Sequence, residues 1–218
     1  MPLVSRKEIY TETELERGMK CWLDTVAKHR IPIVLFDTAE KAKGRRLMKD
    51  GPDDPVGILH GWQIHEINRY ATQRGVRTLW AGGISLRQTL AFGRHEVFGI
   101  YVTSAAARIL PVDRLTQKDP SLAVERRITY TGVRSAKLLL ETGFLITRLE
   151  TVGQKDLAAS LEAAASVFLN ESEDNTEHGP NSKAQRRLHQ LAVKAWRVHY
   201  GTKGILQAGQ YKGVPRFK

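Results

Sequence analysis

The sequence predicts an α/β fold with parallel strands, followed by a mainly helical C-terminal region. Three short apolar runs support this prediction, and each ends in small or polar residues: residues 33–36, 78–80 and 97–102. Helix-like segments lie between them, so strands and helices alternate as two βαβ units. Such units pair their strands in parallel through right-handed crossovers. They also bring the carboxyl ends of the strands to one edge, where α/β folds place active sites.

A helix is predicted before the first strand. Thr11 or Thr13 can cap it, and glutamates in its first turn suit the positive end of the helix dipole. Pro32 ends this helix and leads into the strand at 33–36. The apolar positions of the helix recur at helical spacing and are Leu15, Met19, Trp22, Leu23 and Val26.

Two further helices are predicted between the strands. The first spans about 61–73 and has Gly75 after it as a C-cap, and a turn cluster at 51–55 precedes it. The second spans 86–92, and the hydroxyl of Ser85 is placed to cap its first turn.

The C-terminal region is predicted to be mainly helical. A strand is expected at 126–131, followed by a helix at 133–142 that Gly143 ends. Residues 144–149 form one more short apolar run, which is a candidate for a further strand. Two more helices are expected at 156–170 and 183–200, with an irregular tail after them.

Composition limits the class of protein. The chain has 218 residues, a formal net charge of +11 and a pI near 9.9, which suit nucleic acid, phosphorylated substrates or an acidic partner subunit. Cys21 is the only cysteine, which excludes an intrachain disulfide and a cysteine-based metal site. No apolar run approaches the roughly 18 residues of a membrane span. We therefore expect a cytoplasmic protein that does not contact a membrane.

The pair Gly82-Gly83, between the second strand and its helix, is a candidate phosphate site. Backbone N–H groups of the pair, together with the helix start at Ser85, can cradle a phosphate. A tight turn that needs positive φ explains the two glycines equally well. Thr103 and Ser104 follow the third strand and would lie beside the glycine pair, where hydroxyl groups suit a second set of phosphate contacts.

Asp37 and Lys41 follow the first strand and are candidate catalytic residues. A carboxylate with a lysine four residues later can act as an acid/base pair, or the lysine can form a Schiff base. A simpler interpretation is that Asp37 caps the strand end and that Lys41 belongs to a solvated basic face, since four more basic residues follow it by residue 49.

The histidines around residues 60–65 and the basic C-terminal helix also have possible binding roles. His60 and His65 lack a third ligand at convincing spacing, so we predict no metal site and no cofactor. The helix at 183–200 is basic, which suits nucleic-acid contact, docking on an acidic neighbour, or a solvated face.

The three strand ends resemble one known family. They are similar, in their order, to the C-terminal part of (5-formylfuran-3-yl)methyl phosphate synthase. The matching motifs are Asp37-Thr38-x-x-Lys41 followed by Gly44, then Ala81-Gly82-Gly83-Ile84, then a strand with Gly99-Ile100 that ends in small residues. That family is a (β/α)₈ barrel of methanofuran biosynthesis, a part of one-carbon metabolism. It is a lyase that condenses two glyceraldehyde 3-phosphates through lysine Schiff-base chemistry. The resemblance covers roughly residues 20–110.

The resemblance implies a barrel-like or partial barrel fold and a role for each matched residue. Asp37 and Lys41 would be catalytic, and Gly82 and Gly83 would bind phosphate. Ser85, Thr103 and Ser104 are predicted phosphate contacts from their positions after the strands and not from the resemblance. The chain departs from the family where Tyr101-Val102-Thr103 stands in place of an arginine after the eighth strand. The family's first five strands, one of which carries its Schiff-base lysine, have no counterpart before Asp37.

These observations give a domain division and three functional hypotheses. Residues 1–122 are expected to form a partial (β/α) barrel-like domain, and residues 123–218 a mainly α region with a basic helix and tail. Because three strands cannot close a barrel, a homo- or hetero-oligomer is expected to complete it. The chain is then an enzyme or enzyme subunit acting on phosphorylated aldehydes, a non-catalytic assembly subunit of a phosphate-binding barrel, or a basic nucleic-acid-associated protein.

Overall fold

The computed structural model describes residues 3–4, 12–38, 44–102, 106–111, 124–174 and 183–208. In chain order its elements are β1 (Leu3–Val4), α1 (Glu12–Lys28), β2 (Ile33–Thr38), β3 (Arg46–Met48), β4 (Gly57–Leu59), α2 (Gly61–Gln73), β5 (Arg77–Ala81), α3 (Leu86–Arg94), β6 (Gly99–Tyr101), β7 (Ala107–Pro111), β8 (Val124–Ile128), α4 (Tyr130–Thr151), α5 (Lys155–Asp174) and α6 (Lys183–Ala208). The predicted alternation of strands and helices between residues 33 and 101 is confirmed.

The main sheet has the order β1-β2-β5-β6, and all its strands are parallel. Its order follows the chain, with α1, α2 and α3 as the successive crossovers. Right-handed crossovers that always step in the same direction place every helix on the same face of a sheet. Within the described residues this sheet stays open and does not close into a barrel.

The helix-covered face of the sheet holds the first hydrophobic core. Phe36 of β2 and Trp80 of β5 are fully buried, with ring centroids 4.9 Å apart. Leu23 of α1, Ile67 of α2 and Phe92 of α3 pack into the same cluster. The large aromatic side chains at the centre of this core provide enough buried apolar surface for three helices to pack on short strands.

The opposite face of the sheet is only partly covered. Register places Leu35 beside Leu79, and Ala81 beside Tyr101, on this face. Leu35 and Leu79 are half-buried and belong to neither hydrophobic core, while Tyr101 is 68% exposed. Gly99 leaves room for Leu79, because an added Cβ would lie 2.8 Å from its Cδ2 atom. Parallel sheets are normally covered on both faces, so this face, which we call the bare face, is unusual.

A short excursion between β2 and α2 reaches the carboxyl end of β5. It contains the parallel pair β3 and β4, joined by the predicted turn cluster. The N–H of Leu47 in β3 donates to the carbonyl of Gly82 at 2.8 Å. Leu47 itself is fully buried, so a backbone hydrogen bond and a core side chain together hold the excursion on the sheet edge.

The C-terminal region is a three-helix unit with its own hydrophobic core. Helices α4, α5 and α6 supply this core, and α4 also packs along α3. Strand β8 overlaps only the first half of the strand predicted at 126–131, since α4 begins at Tyr130. It pairs antiparallel with β7 and therefore does not extend the parallel sheet. Helix α6 continues to Ala208 past non-helical backbone at Gly201, and the rest of the expected tail lies outside the described residues.

Two predictions for the C-terminal region are wrong. Gly143 does not end a helix, and residues 144–149 are not a separate strand-like run, since both lie within α4. Gly143 instead meets α3, where an added Cβ would overlap the carbonyl oxygen of Leu90. Gly93 of α3 makes the reciprocal contact with the carbonyl of Leu140. Gly143 is therefore a glycine because α4 packs closely against α3, and it is not a C-cap.

No helix in the described part of the chain is long and apolar enough to cross a membrane. The proposed boundary between a first domain of residues 1–122 and a second region of residues 123–218 remains a prediction.

Candidate functional site

The carboxyl ends of β2 and β5 bring two of the predicted motifs together. The register pairs Phe36 with Trp80, so Asp37 and Thr38 run beside Ala81 and Gly82. Gly82 has φ +120°, and an added Cβ there would overlap Thr38 Oγ1. Glycine is required at this position both for its backbone conformation and for the close approach of Thr38.

Asp37 and Thr38 are both buried at this edge. The exposed fraction is 9% for Asp37 and 2% for Thr38. The Asp37 carboxylate accepts the N–H of Thr38 at 2.8 Å, which orients it on the sheet edge. The Thr38 hydroxyl oxygen has no hydrogen-bond partner within the described residues. A buried hydroxyl without a partner calls for an explanation, such as a water molecule or a bound ligand.

Gly83, with φ +66°, lies against Arg46, a residue that the sequence analysis missed. An added Cβ at Gly83 would lie 3.1 Å from Arg46 Cγ. The Arg46 guanidinium donates to Asp50 at 2.5 Å and to Asp54 at 3.2 Å. The sequence pattern favours a solvated basic run that includes Arg46. The carboxylates four and eight residues later were the available signal that it has specific partners.

Asp54 organises the turn that carries these carboxylates. Its carboxylate accepts the N–H of Asp50 at 3.0 Å and that of Val56 at 2.9 Å. Burial alone would raise the pKa of Asp54, but these backbone hydrogen bonds, one from Gly57 and the charge of Arg46 outweigh it and lower the pKa. The turn therefore keeps a fixed negative charge beside Arg46 at neutral pH.

Ser85 caps α3, as predicted. Its hydroxyl accepts the N–H of Gln88 at 3.1 Å, and its own N–H donates to the Gln88 side-chain oxygen at 3.1 Å. This capping box engages both polar groups of Ser85. The first turn of α3 also carries the positive end of the helix dipole, which suits an anion.

Gln88 was also missed by the sequence analysis. It is 2% exposed, and its amide donates to the Met48 carbonyl at 3.0 Å and to the Asp50 carboxylate at 2.6 Å. Gln88 thus links the start of α3 to the β3–β4 excursion. Only the folded chain joins these two segments, so a pattern along the sequence could not have identified this role.

Histidines at the edges of α2 do not assemble a metal site. Within the described residues no three potential ligands come together. His60 Nε2 lies 2.9 Å from Lys49 Nζ, and His65 is exposed. The ring of His65 is 5.9 Å from that of His95. Burial, helped by the nearby charges of His65 and Arg94, lowers the pKa of His95 to about 4.

Three predicted site residues, Lys41, Thr103 and Ser104, lie outside the described residues. The structure brings Asp37, Gly82, Gly83 and Ser85 to one edge of the sheet and adds Arg46 and Gln88 to them. Comparison with protein-family models, curated proteins and solved structures found no match for this chain.

Proposed function

We propose that the chain is an enzyme, or a subunit of one, of the lyase type that (5-formylfuran-3-yl)methyl phosphate synthase represents, acting on phosphorylated aldehydes. The observation that carries the proposal is the meeting of Asp37 and Thr38 with Gly82 and Gly83 at one sheet edge. A carboxylate beside a glycine turn supplies both a proton-transfer group and room for a phosphate.

The proposed phosphate end of the site is the glycine turn. Gly82 and Gly83 present backbone without side chains, and the start of α3 after Ser85 adds the positive end of a helix dipole. Arg46 lies directly against Gly83, and its pairing with Asp50 and Asp54 fixes the position of the β3–β4 turn beside the glycines. Thr103 and Ser104 retain the role that the sequence predicts for them, as additional phosphate contacts.

The proposed chemical end of the site is Asp37 with Lys41. The amine of Lys41 would attack the aldehyde carbon, and the resulting adduct would lose water to form an imine. Asp37, held in place by the N–H of Thr38, would transfer the protons of that step or orient the lysine. The unpartnered hydroxyl of Thr38 would then contact the bound substrate.

The same proposal includes a barrel completed by a partner chain. A sheet whose order follows the chain and whose helices all lie on one face is the arrangement of strands found in (β/α)₈ barrels. In a barrel the opposite face is filled by side chains of the remaining strands. Leu35, Leu79 and Tyr101 on the bare face are apolar or aromatic, and no side chains of further strands cover them among the described residues, which favours assembly with further strands.

Borohydride trapping tests the catalytic proposal. Incubation with glyceraldehyde 3-phosphate and borohydride should reduce the imine to a stable secondary amine, which mass spectrometry of peptides would locate at Lys41. Lys41→Ala should abolish the adduct, while the neighbouring control Lys43→Ala should retain it. An adduct of unchanged yield in Lys41→Ala would remove Lys41 from the role of the amine. Absence of any adduct in the assembled wild-type protein would favour the non-catalytic assembly subunit.

A further inference from the structure

Helix α6 is strongly basic along its length. Its 26 residues contain no aspartate or glutamate, and the sequence from Lys183 to the C-terminus continues without one. Cations of α6 therefore cannot be neutralised within the helix. Five of them define what we call the basic face: Lys183, Arg186, Arg187, Lys194 and Arg197.

The basic face is narrow, straight and exposed. At 100° per residue the five positions fall within an arc of about 100°, and at 1.5 Å per residue they extend over about 21 Å. All five side chains are exposed, as is Gln190 among them. On the other side of the helix Leu188, Ala192 and Ala195 are fully buried in the core of the three-helix unit. The basic face is thus presented by a helix whose orientation is held by packing.

We propose that the basic face binds the phosphate backbone of nucleic acid without reading its sequence. A duplex carries one phosphate per about 3.4 Å of axis on each strand, so a line of about 21 Å spans roughly six base pairs. Lysine and arginine side chains on such a line can neutralise several phosphates and release their counterions. This function is independent of the proposed site at the sheet edge, because it uses α6 alone.

Apolar exposure distinguishes nucleic acid from a membrane surface or a protein partner. A helix that binds a membrane inserts its apolar face, but the apolar face of α6 is already buried, with Trp196 only 4% exposed. A protein interface needs an apolar centre, and Val198, 45% exposed, is the one exposed large apolar side chain beside the basic face in the part of α6 whose side chains are described. Its apolar neighbours Leu191 and Val193 are half-buried. A polyanion is the partner that needs charge without apolar contact.

Fluorescence anisotropy with a labelled 20-base-pair duplex of arbitrary sequence, as DNA and as RNA, tests the proposal on the full chain. Affinity should fall steeply with salt, with a slope of log K against log salt of about −4 if all five cations contact phosphates. Arg187→Glu combined with Lys194→Glu should weaken binding at least about tenfold and reduce the slope by about two. Arg17→Glu with Lys28→Glu, exposed positions of α1 that change the net charge equally, should leave the affinity within about twofold.

Two further measurements keep the outcome interpretable. Arg187 and Lys194 are both exposed, so the thermal unfolding temperature of the double glutamate variant should match that of wild type. Arg187→Gln with Lys194→Gln removes the two positive charges without adding negative ones and should weaken binding less. Equal weakening in the α1 control would assign binding to net charge and overturn the proposal. Absence of duplex binding at low salt would also overturn it, as would binding to vesicles containing phosphatidylserine in preference to duplex.

Discussion

Single residues at the sheet edge owe their geometry to partners that are distant along the chain. Gly82 is a glycine because Thr38 of another strand occupies the space of its side chain, and Gly83 because its backbone is left-handed and Arg46 lies against it. The sequence pattern of this glycine pair predicts a turn or a phosphate cradle, and the structure is compatible with both. Arg46 could not be assigned in the same way, since nothing near it in the sequence indicates that it reaches Gly83.

Glu141 is a buried carboxyl group that makes stability depend on pH. It is 4% exposed in α4, and burial raises its pKa to about 7 although Lys137 lies 3.6 Å away and opposes the shift. The folded state therefore binds this proton more tightly than the unfolded state. Its contribution to stability is full below the unfolded pKa of 4.5 and is lost as pH rises towards 7, by up to about 3 kcal/mol.

Glu141→Gln should therefore be more stable than wild type at pH 8 and differ less at pH 4.5, because glutamine cannot ionise. Urea unfolding between pH 4.5 and 8.5 measures the difference. Glu150→Gln, an exposed position of the same helix, is the control and should show no comparable pH-dependent gain. A Glu141→Gln effect of equal size at both pH values would contradict the assigned pKa.

At the scale of elements, α3 and α4 form the contact that joins the two hydrophobic cores. Leu140 of α4 packs against the sheet core, while Leu86 and Leu90 of α3 pack against the helical core. Gly93 and Gly143 let the two backbones approach closely. Both glycines are needed for packing, although helix propensity alone would favour alanine at each.

Gly143→Ala should destabilise the protein by about 1–3 kcal/mol, because the added methyl group overlaps the Leu90 carbonyl and forces the helices apart. Gly18→Ala in α1 is the matched control, since an added Cβ there meets nothing within 4 Å. It should stabilise the protein by about 0.5–1 kcal/mol through helix propensity. Thermal or denaturant unfolding compares the two. Stabilisation by Gly143→Ala would show that the helices do not pack this closely.

At the scale of the whole molecule, the bare face of the sheet is partly exposed within the described residues, and we propose that a partner chain covers it. We expect the purified protein to have a mass above the 24.5 kDa of one chain, either as a homo-oligomer or with a co-purified subunit. Tyr101→Glu, on the bare face, should lower the measured mass. Tyr130→Glu, at a tyrosine at the start of α4 that is 75% exposed, should not lower it. Light scattering after size-exclusion chromatography measures both, and a stable wild-type monomer would contradict the assembly.

The sequence by itself determined the features that depend on neighbours along the chain. The strands β2 and β5, the bounds of α2 and the Ser85 cap of α3 follow from apolar periodicity and local hydrogen bonding, and the structure confirms them. Parallel pairing also followed, because a helical crossover between two strands permits little else.

Only the tertiary structure decided which distant segments meet. It joined the β3–β4 excursion to Gly82 and to Gln88 through backbone and side-chain hydrogen bonds. It also turned Gly143 from an expected helix end into a helix contact, and placed β8 outside the parallel sheet. The physical reason is the same in each case: close packing and long-range hydrogen bonds depend on three-dimensional proximity, which no local pattern of residues encodes.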